Sequence, residues 1–289
     1  MLGKTGVFVV LLAGSAAPAA ADMVEDCFND SDMQLKIEGC TAMIQDGRWT
    51  GTDLAAIHIN RCWAYGSSGQ AELALADCDQ AVSLAPESPQ AIALRGNVYG
   101  DLGQHERAIQ DFDEAIRLDP GYILAYLNRA NAHANLDRHE QAIADFDQLL
   151  ALDGVTEEQA AEIRARRAVA LNWFAWELYR SGQAAEGLPR VEEALAVRPN
   201  DIGIIDTRAS ILCALERPED ARGGFAQVIE VGGGDWARQY QQTLTDLGYN
   251  PGPVDGLWGP TSQGALDQWV EGGCPPAAEE PVAEEAAAE

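Results

Sequence analysis

Between residues 55 and 156 apolar and small side chains recur at helical spacing, and the whole pattern returns every 34 residues. In the best-defined copy Leu94, Val98 and Leu102 mark one helical face, and Ala108, Ile109, Phe112, Ala115 and Ile116 mark a second. The turn between them carries Gly103, matched by Gly69 one period earlier. Ala74, Ala108 and Ala142 form one column of the repeat and Cys78, Phe112 and Phe146 another, while Pro86 and Pro120 close two of the copies. Gly96, Ala108 and Ala115 are small enough to let two antiparallel helices approach closely, with Tyr99 and Phe112 filling the space beside them. Such a helical hairpin cannot bury its apolar face alone, so copies must stack, which predicts an all-α solenoid with a binding surface on its concave side.

On these residues the chain resembles the tetratricopeptide repeat family. The family's small residue of the first helix falls on Gly96, its aromatic on Tyr99, its turn glycine on Gly103, its alanines on Ala108 and Ala115, its second aromatic on Phe112 and its closing proline on Pro120. The resemblance implies repeats at 55–88, 89–122 and 123–156, with Cys62 and Ala130 replacing the glycine in the flanking copies and Gly154 replacing the proline. Two degenerate copies follow at 168–201, with Gly182, Ala194 and Pro199 in register, and at 202–235, with Ala209, Ala221 and Phe225 in register. Residues 157–167 are expected to connect them by lengthening a helix, and Pro189 to interrupt or begin the second helix of the fourth copy. Residues 22–54 remain as an irregular capping hairpin, too short for a catalytic domain.

The chain opens differently. Lys4 precedes the apolar run Val7 to Ala13, and small residues at Ala19, Ala20 and Ala21 lead to Asp22, which together describe a cleavable secretory signal at 1–21, too short to span a bilayer. Cys27 follows Glu25 and Asp26, a context unlike that of a lipid-anchored lipoprotein, so the expected location is periplasmic. In an oxidising compartment six cysteines tend to pair. The repeat register lets Cys62 and Cys78 face one another across a hairpin; Cys27 and Cys40 then clamp the N-terminal segment, and Cys213 is left for Cys274. Other connectivities remain open at this point, since cysteine also serves as a small core residue.

Residues 236–274 form a further segment: an amphipathic helix, a loop rich in glycine and proline, and a second short helix. Leu244, Leu247, Gly248, Tyr249, Pro253, Val254, Asp255, Gly256, Trp258, Gly259, Pro260, Ala265, Leu266 and Trp269 resemble the small helical peptidoglycan-binding module attached to many cell-wall proteins. The resemblance implies Gly248, Tyr249, Asp255, Gly256, Trp258 and Gly259 as its motif. Leu244, Leu247, Leu257 and Leu266 are expected in its core, with Asp255 holding backbone amides of the loop. Gly232, Gly233 and Gly234 lack the lysine and hydroxyl of a phosphate loop and read as a hinge before the module, and residues 275–289 as a disordered acidic tail.

Charge narrows the partners. The chain has 46 acidic against 19 basic side chains, a formal net charge of −27, which disfavours nucleic acid and anionic membranes. No cofactor, no metal site and no membrane insertion are called for. Asp77, Asp111 and Asp145 recur in one column, Asp79, Asp113 and Asp147 in a second, and Arg61, Arg95 and Arg129 in a third. Carboxylates two positions apart point to different helix faces, so these columns predict a ladder of Arg–Asp contacts between hairpins in preference to acid–base or metal chemistry. His58, His105, His133 and His139 are assigned to turn and groove packing. The expected function is a periplasmic, non-enzymatic adaptor that binds a protein partner and docks on peptidoglycan through the terminal module. The groove would be lined by Ile59, Trp63, Asn97, Leu127, Asn131, Trp176 and Tyr179. The alternatives are a cell-wall enzyme or its accessory subunit, and a scaffold whose terminal module is only a cap.

Overall fold

A computed structural model of the chain describes residues 20–274; the rest of the signal segment and the acidic tail lie outside the described residues. Every element among the described residues is a helix, and the chain divides into two units on either side of Gln104. The first unit contains α1 (Ala20–Cys27), α2 (Met33–Asp46), α3 (Gly51–Ser67), α4 (Ala71–Leu84) and α5 (Pro89–Asp101). The second contains α6 (His105–Leu118), α7 (Ile123–Ala134), α8 (His139–Ala151), α9 (Glu157–Arg180), α10 (Ala184–Val197), α11 (Ile202–Ala214), α12 (Pro218–Asp246) and α13 (Pro260–Glu271).

Helix starts follow local chemistry. Ser88 accepts a hydrogen bond from the Ala91 amide with Pro89 just inside α5, and Asp201 does the same for the Ile204 amide at α11. Thr156 and Gln159 cap α9 reciprocally, so residues 157–167 extend the first helix of the fourth hairpin. The turns between paired helices share one left-handed position. Gly69, Gly103 and Gly182 occupy it with φ of 70°, 70° and 81°, and Asp137 and Glu216 occupy it with φ of 55° and 57°. Only glycine adopts that conformation without steric cost.

In the first unit α1 and α2 form the capping hairpin. A Cβ at Gly39 would lie 2.6 Å from the Cys27 amide nitrogen, so glycine lets α1 rest directly on α2. The Cys27–Cys40 disulfide fixes that contact, with Cα atoms 4.5 Å apart, over a core of Met23, Met43 and Ile57. Lys36 is almost fully buried; its ammonium meets Asp30 at 2.6 Å and Asn60 Oδ1 at 3.1 Å and lies 4.5 Å from the centre of the Trp63 ring. Cys62–Cys78 joins α3 to α4 beside Ala74, Val98 and Leu94.

In the second unit successive hairpins pack through small residues. A Cβ at Gly187 of α10 would stand 2.9 Å from the Ala175 carbonyl oxygen of α9, and one at Gly224 of α12 would stand 2.7 Å from the Ala209 Cβ of α11. Gly187, which departs from the repeat's alanine, is therefore required by a closer helix contact. Pro189 neither interrupts nor begins α10: the helix starts at Ala184 and continues through the proline to Val197. The exposed ring sits on the outer face, where the loss of one backbone bond is tolerated.

The end of the chain departs most from expectation. Gly232–Gly234 is no open hinge. It is a kink inside α12, with Gly233 at φ 63°, and a Cβ on Gly232 would lie 2.3 Å from the Trp236 ring. Beyond the kink, Tyr240 and Leu244, with Ala265, Leu266, Trp269 and Val270 of α13, share one core with Ile205, Leu212, Phe225 and Val228 of the fifth hairpin. Cys213–Cys274 ties the end of α13 to α11, with Cα atoms 5.9 Å apart. All three disulfides thus take the pairing that the repeat register suggests.

The turn column yields a prediction. Glu216 is exposed and held left-handed, so Glu216→Gly should raise stability by about 1 kcal/mol in urea denaturation with an unchanged slope. An unchanged or lower midpoint would contradict the assignment of strain to this position.

Candidate partner face and terminal module

In each unit the first helices carry the residues proposed to meet a partner. In the first unit α3 carries Ile59, half-buried, and Trp63, 39% exposed, and α5 carries Asn97, half-buried. In the second unit α7 carries Leu127 and Asn131, both half-buried. Trp176 and Tyr179 of α9 are 7% and 8% exposed, their rings 5.2 Å apart, in a core with Ile204 and Ile211 of α11. Burial commits most of their surface to the joint between the fourth and fifth hairpins.

Arg and Asp columns do form a ladder, with a rule the sequence leaves implicit. Each arginine reaches a carboxylate 16 residues before it or 16 after it: Arg95 to Asp79 at 3.2 Å and Arg129 to Asp113 at 2.5 Å lead back to the preceding hairpin. Arg61 to Asp77 and Arg129 to Asp145 are two-pronged contacts within a hairpin. Burial works against the charge on Asp77, but hydrogen bonds from His58 and Arg61 and the guanidinium's charge hold its carboxyl below the usual range. Arg167 continues the ladder to Asp147 at 2.6 Å and to Glu193 at 2.7 Å.

The histidines occupy packing positions. His58 Nδ1 lies 2.8 Å from Asp77, and His139 stacks on Trp173 with its ring centre 6.0 Å away. Burial lowers the pKa of both His133 and His139. Among the described residues no three His, Cys, Asp or Glu side chains are grouped to hold a metal ion.

The terminal loop is organised by a residue the sequence motif does not single out. Gln241, 1% exposed, accepts from the amides of Asp255 at 3.1 Å and Gly256 at 2.9 Å and donates to the Leu257 carbonyl at 3.0 Å and to Ser262 at 3.2 Å. Asp255 accepts from the Leu257 amide at 2.8 Å, its expected role, and the Trp258 indole donates to Gln263 at 3.0 Å. Gly256, at φ 80°, must be glycine, because a Cβ there would lie 2.6 Å from the Gly234 carbonyl oxygen. Gly248, at φ 87°, turns the chain after α12, Tyr249 packs against the shared core, and Gly259 precedes α13. Leu244 and Leu266 are buried and Leu247 packs on them, but Leu257 is 75% exposed because the loop turns its side chain outward.

Two further residues were hidden from sequence reading. Asp206 of α11 accepts a hydrogen bond from the hydroxyl of Tyr240, 34 residues later, so the second half of α12 occupies the place of the next first helix in the period. Burial pushes the Asp206 carboxyl up to about 6, against the opposing effect of that bond, and raises Tyr240 well above its ordinary value. The repeat spacing itself was the available signal.

Comparison with known proteins agrees with the hairpin geometry. Residues 96–137 match a family model described as TPR repeat, and residues 123–155 match one described as tetratricopeptide repeat. This stretch is built of tetratricopeptide repeats. Among solved structures, "YrrB: a TPR protein with an unusual peptide-binding site" is similar at 19% identity with a TM-score of 0.51, covering 68% of this chain and 93% of that one. "MamA 41-end from Desulfovibrio magneticus RS-1" is similar at 17% identity with a TM-score of 0.47, covering 62% of this chain and 94% of that one. No curated protein sequence matches the chain. Tetratricopeptide repeats make the central region a protein-interaction scaffold. No described helix is long and apolar enough to cross a membrane.

Asp206 gives a pH prediction. A carboxyl raised to about 6 favours the neutral form in the fold, so the stability it supports is full below its unfolded pKa of about 4 and is lost as pH rises through 6. Asp206→Asn should therefore remove about 1 kcal/mol of the loss in stability between pH 5 and 7.5, read from urea midpoints. Parallel curves for the two proteins would show that Asp206 does not titrate in this range.

Proposed function

We propose that this protein is an exported periplasmic adaptor whose repeat face binds a protein partner and whose terminal module docks on peptidoglycan. Support for the partner face comes from the tetratricopeptide repeats and from Trp63, the one exposed aromatic side chain of the face, held in place by Lys36. Support for export comes from the pairing of all six cysteines.

The observation that carries the docking role is the terminal loop. Gln241, Asp255 and Gly256 hold it in one conformation while Val254 and Leu257 stand 41% and 75% exposed beside Trp258. A preorganised loop that presents apolar side chains to water is suited to the face of a sugar ring or a stem peptide.

The second reading, a module that only closes the row of hairpins, draws on the core shared by α11, α12 and α13. Truncation before residue 236 would expose Phe225 and Val228 and confuse the two, so surface substitutions are the better tool. The purified chain should sediment with insoluble sacculi, and Leu257→Asp with Val254→Asp should lower the bound fraction by about tenfold without changing the circular dichroism spectrum. Absence of the unsubstituted chain from the pellet favours the cap, and release of soluble muropeptides would make it a cell-wall enzyme.

A further inference from the structure

We infer that the terminal loop recognises the stem peptide of peptidoglycan and not its glycan, with the Arg238 guanidinium binding a carboxylate and Leu257 meeting the small apolar side chain beside it. The inference rests on the docking reading above and adds the class of ligand.

The exposed edge of the loop is not only apolar. Arg238 is the one basic residue between positions 236 and 274, and it lies one helical turn before Gln241 on the face of α12 that meets the loop. Its side chain crosses two glycines: a Cβ at Gly256 would come within 3.1 Å of Nε, and one at Gly234 within 3.8 Å of Nη2. A side chain at either place would cover the guanidinium. With glycine at both, the Arg238 side chain stays 51% exposed. Leu257 follows Gly256 directly and is 75% exposed, so a cation and an apolar side chain share one edge of the loop.

Little holds the guanidinium elsewhere. Among the described residues its one hydrogen bond runs from Nη1 to Asp235 at 2.7 Å. Asp235 is 91% exposed, so this is a surface pair of small worth that an incoming carboxylate can join or displace. The carboxylates nearest in sequence to the loop are engaged. Asp255 accepts from the Leu257 amide at 2.8 Å and from the Gln241 side chain at 3.4 Å, and Asp267 and Glu271 of α13 lie 3.4 Å and 3.1 Å from Arg222. Nε and Nη2 of Arg238 are left as the fork that fits a carboxylate through two parallel hydrogen bonds.

The two parts of peptidoglycan differ in what they offer such a fork. A glycan strand presents hydroxyl and acetamido groups, and its lactyl carboxyl is consumed wherever a peptide is attached. The stem peptide presents free carboxylates beside alanine methyl groups. A cation flanked by Leu257, in a loop fixed by Gln241, matches the second and has no charge partner on the first. Because the whole chain carries a net charge of −27, the anion is held by contact at Arg238 and not by long-range attraction.

The test is sedimentation of the full chain with intact sacculi in competition with a synthetic stem tetrapeptide, its carboxylates either free or amidated. The free peptide should displace the chain, and the amidated form should be needed at about tenfold higher concentration. Arg238→Gln should respond to the two peptides alike with an unchanged circular dichroism spectrum, and Arg238→Lys should restore part of the preference. Beads carrying glycan strands freed of stem peptides by an amidase should retain about tenfold less chain than beads carrying intact strands. Equal retention on the peptide-free strands, or an undiminished preference for the free peptide in Arg238→Gln, would overturn the inference and leave docking standing. Absence of the chain from the pellet of intact sacculi would overturn both.

Discussion

The structure depends on the closeness with which paired helices approach one another. Cys62, Ala130, Ala175 and Ala209 on first helices and Ala74, Ala142, Gly187 and Ala221 on second helices are small and inaccessible. At Gly187 and Gly224 even one added methyl would collide with the facing helix. Where side chains are this small, dispersion over a long contact and the larger residues beside it, Phe146, Val191 and Phe225, provide the attraction. The period of the sequence is the record of that contact, and the arginine ladder and the disulfides are attached to it.

This is why so much of the fold was legible. A small column and an aromatic column at fixed spacing specify a hairpin locally, and the register then places Cys62 opposite Cys78 and leaves Cys213 for Cys274. What escaped notice depends on contacts with no local signature. Pro189 looked like a helix boundary, but α10 is held on α9 firmly enough to absorb the lost bond. Leu257 looked like a core leucine, and the loop fixed by Gln241 turns it outward. Three glycines in a row looked like slack, yet Gly232 is packed on Trp236. Trp176 and Tyr179 were picked out by repeat position for a partner face, but they pack in a core with Ile204 and Ile211, whereas Asn172, Asp206 and Gln241 needed their surroundings to become conspicuous.

Charge follows a similar division. The column arginines Arg61, Arg95 and Arg129 are spent on fixed contacts, at a spacing of 16 residues that ties a first helix to the second helix of its own or the preceding hairpin. The formal net charge of −27 favours the approach of basic groups. Asp206 is the exception: a carboxylate on the inner column, bonded to a tyrosine and lacking an arginine. Its environment differs from the ladder because the kink at Gly233 folds the second half of α12 back to where another first helix would stand.

The terminal helices therefore belong to the same cooperative structure as the fifth hairpin, whatever they bind. Native-state hydrogen exchange tests this most directly, through the amides of Leu244 and Leu266 beside those of Leu212 and Phe225, all four side chains being fully buried in one core. The account predicts a common opening free energy for all four and an equal response to urea. Exchange of Leu244 and Leu266 through a separate, less costly opening would contradict it and make residues 236–274 an independent module.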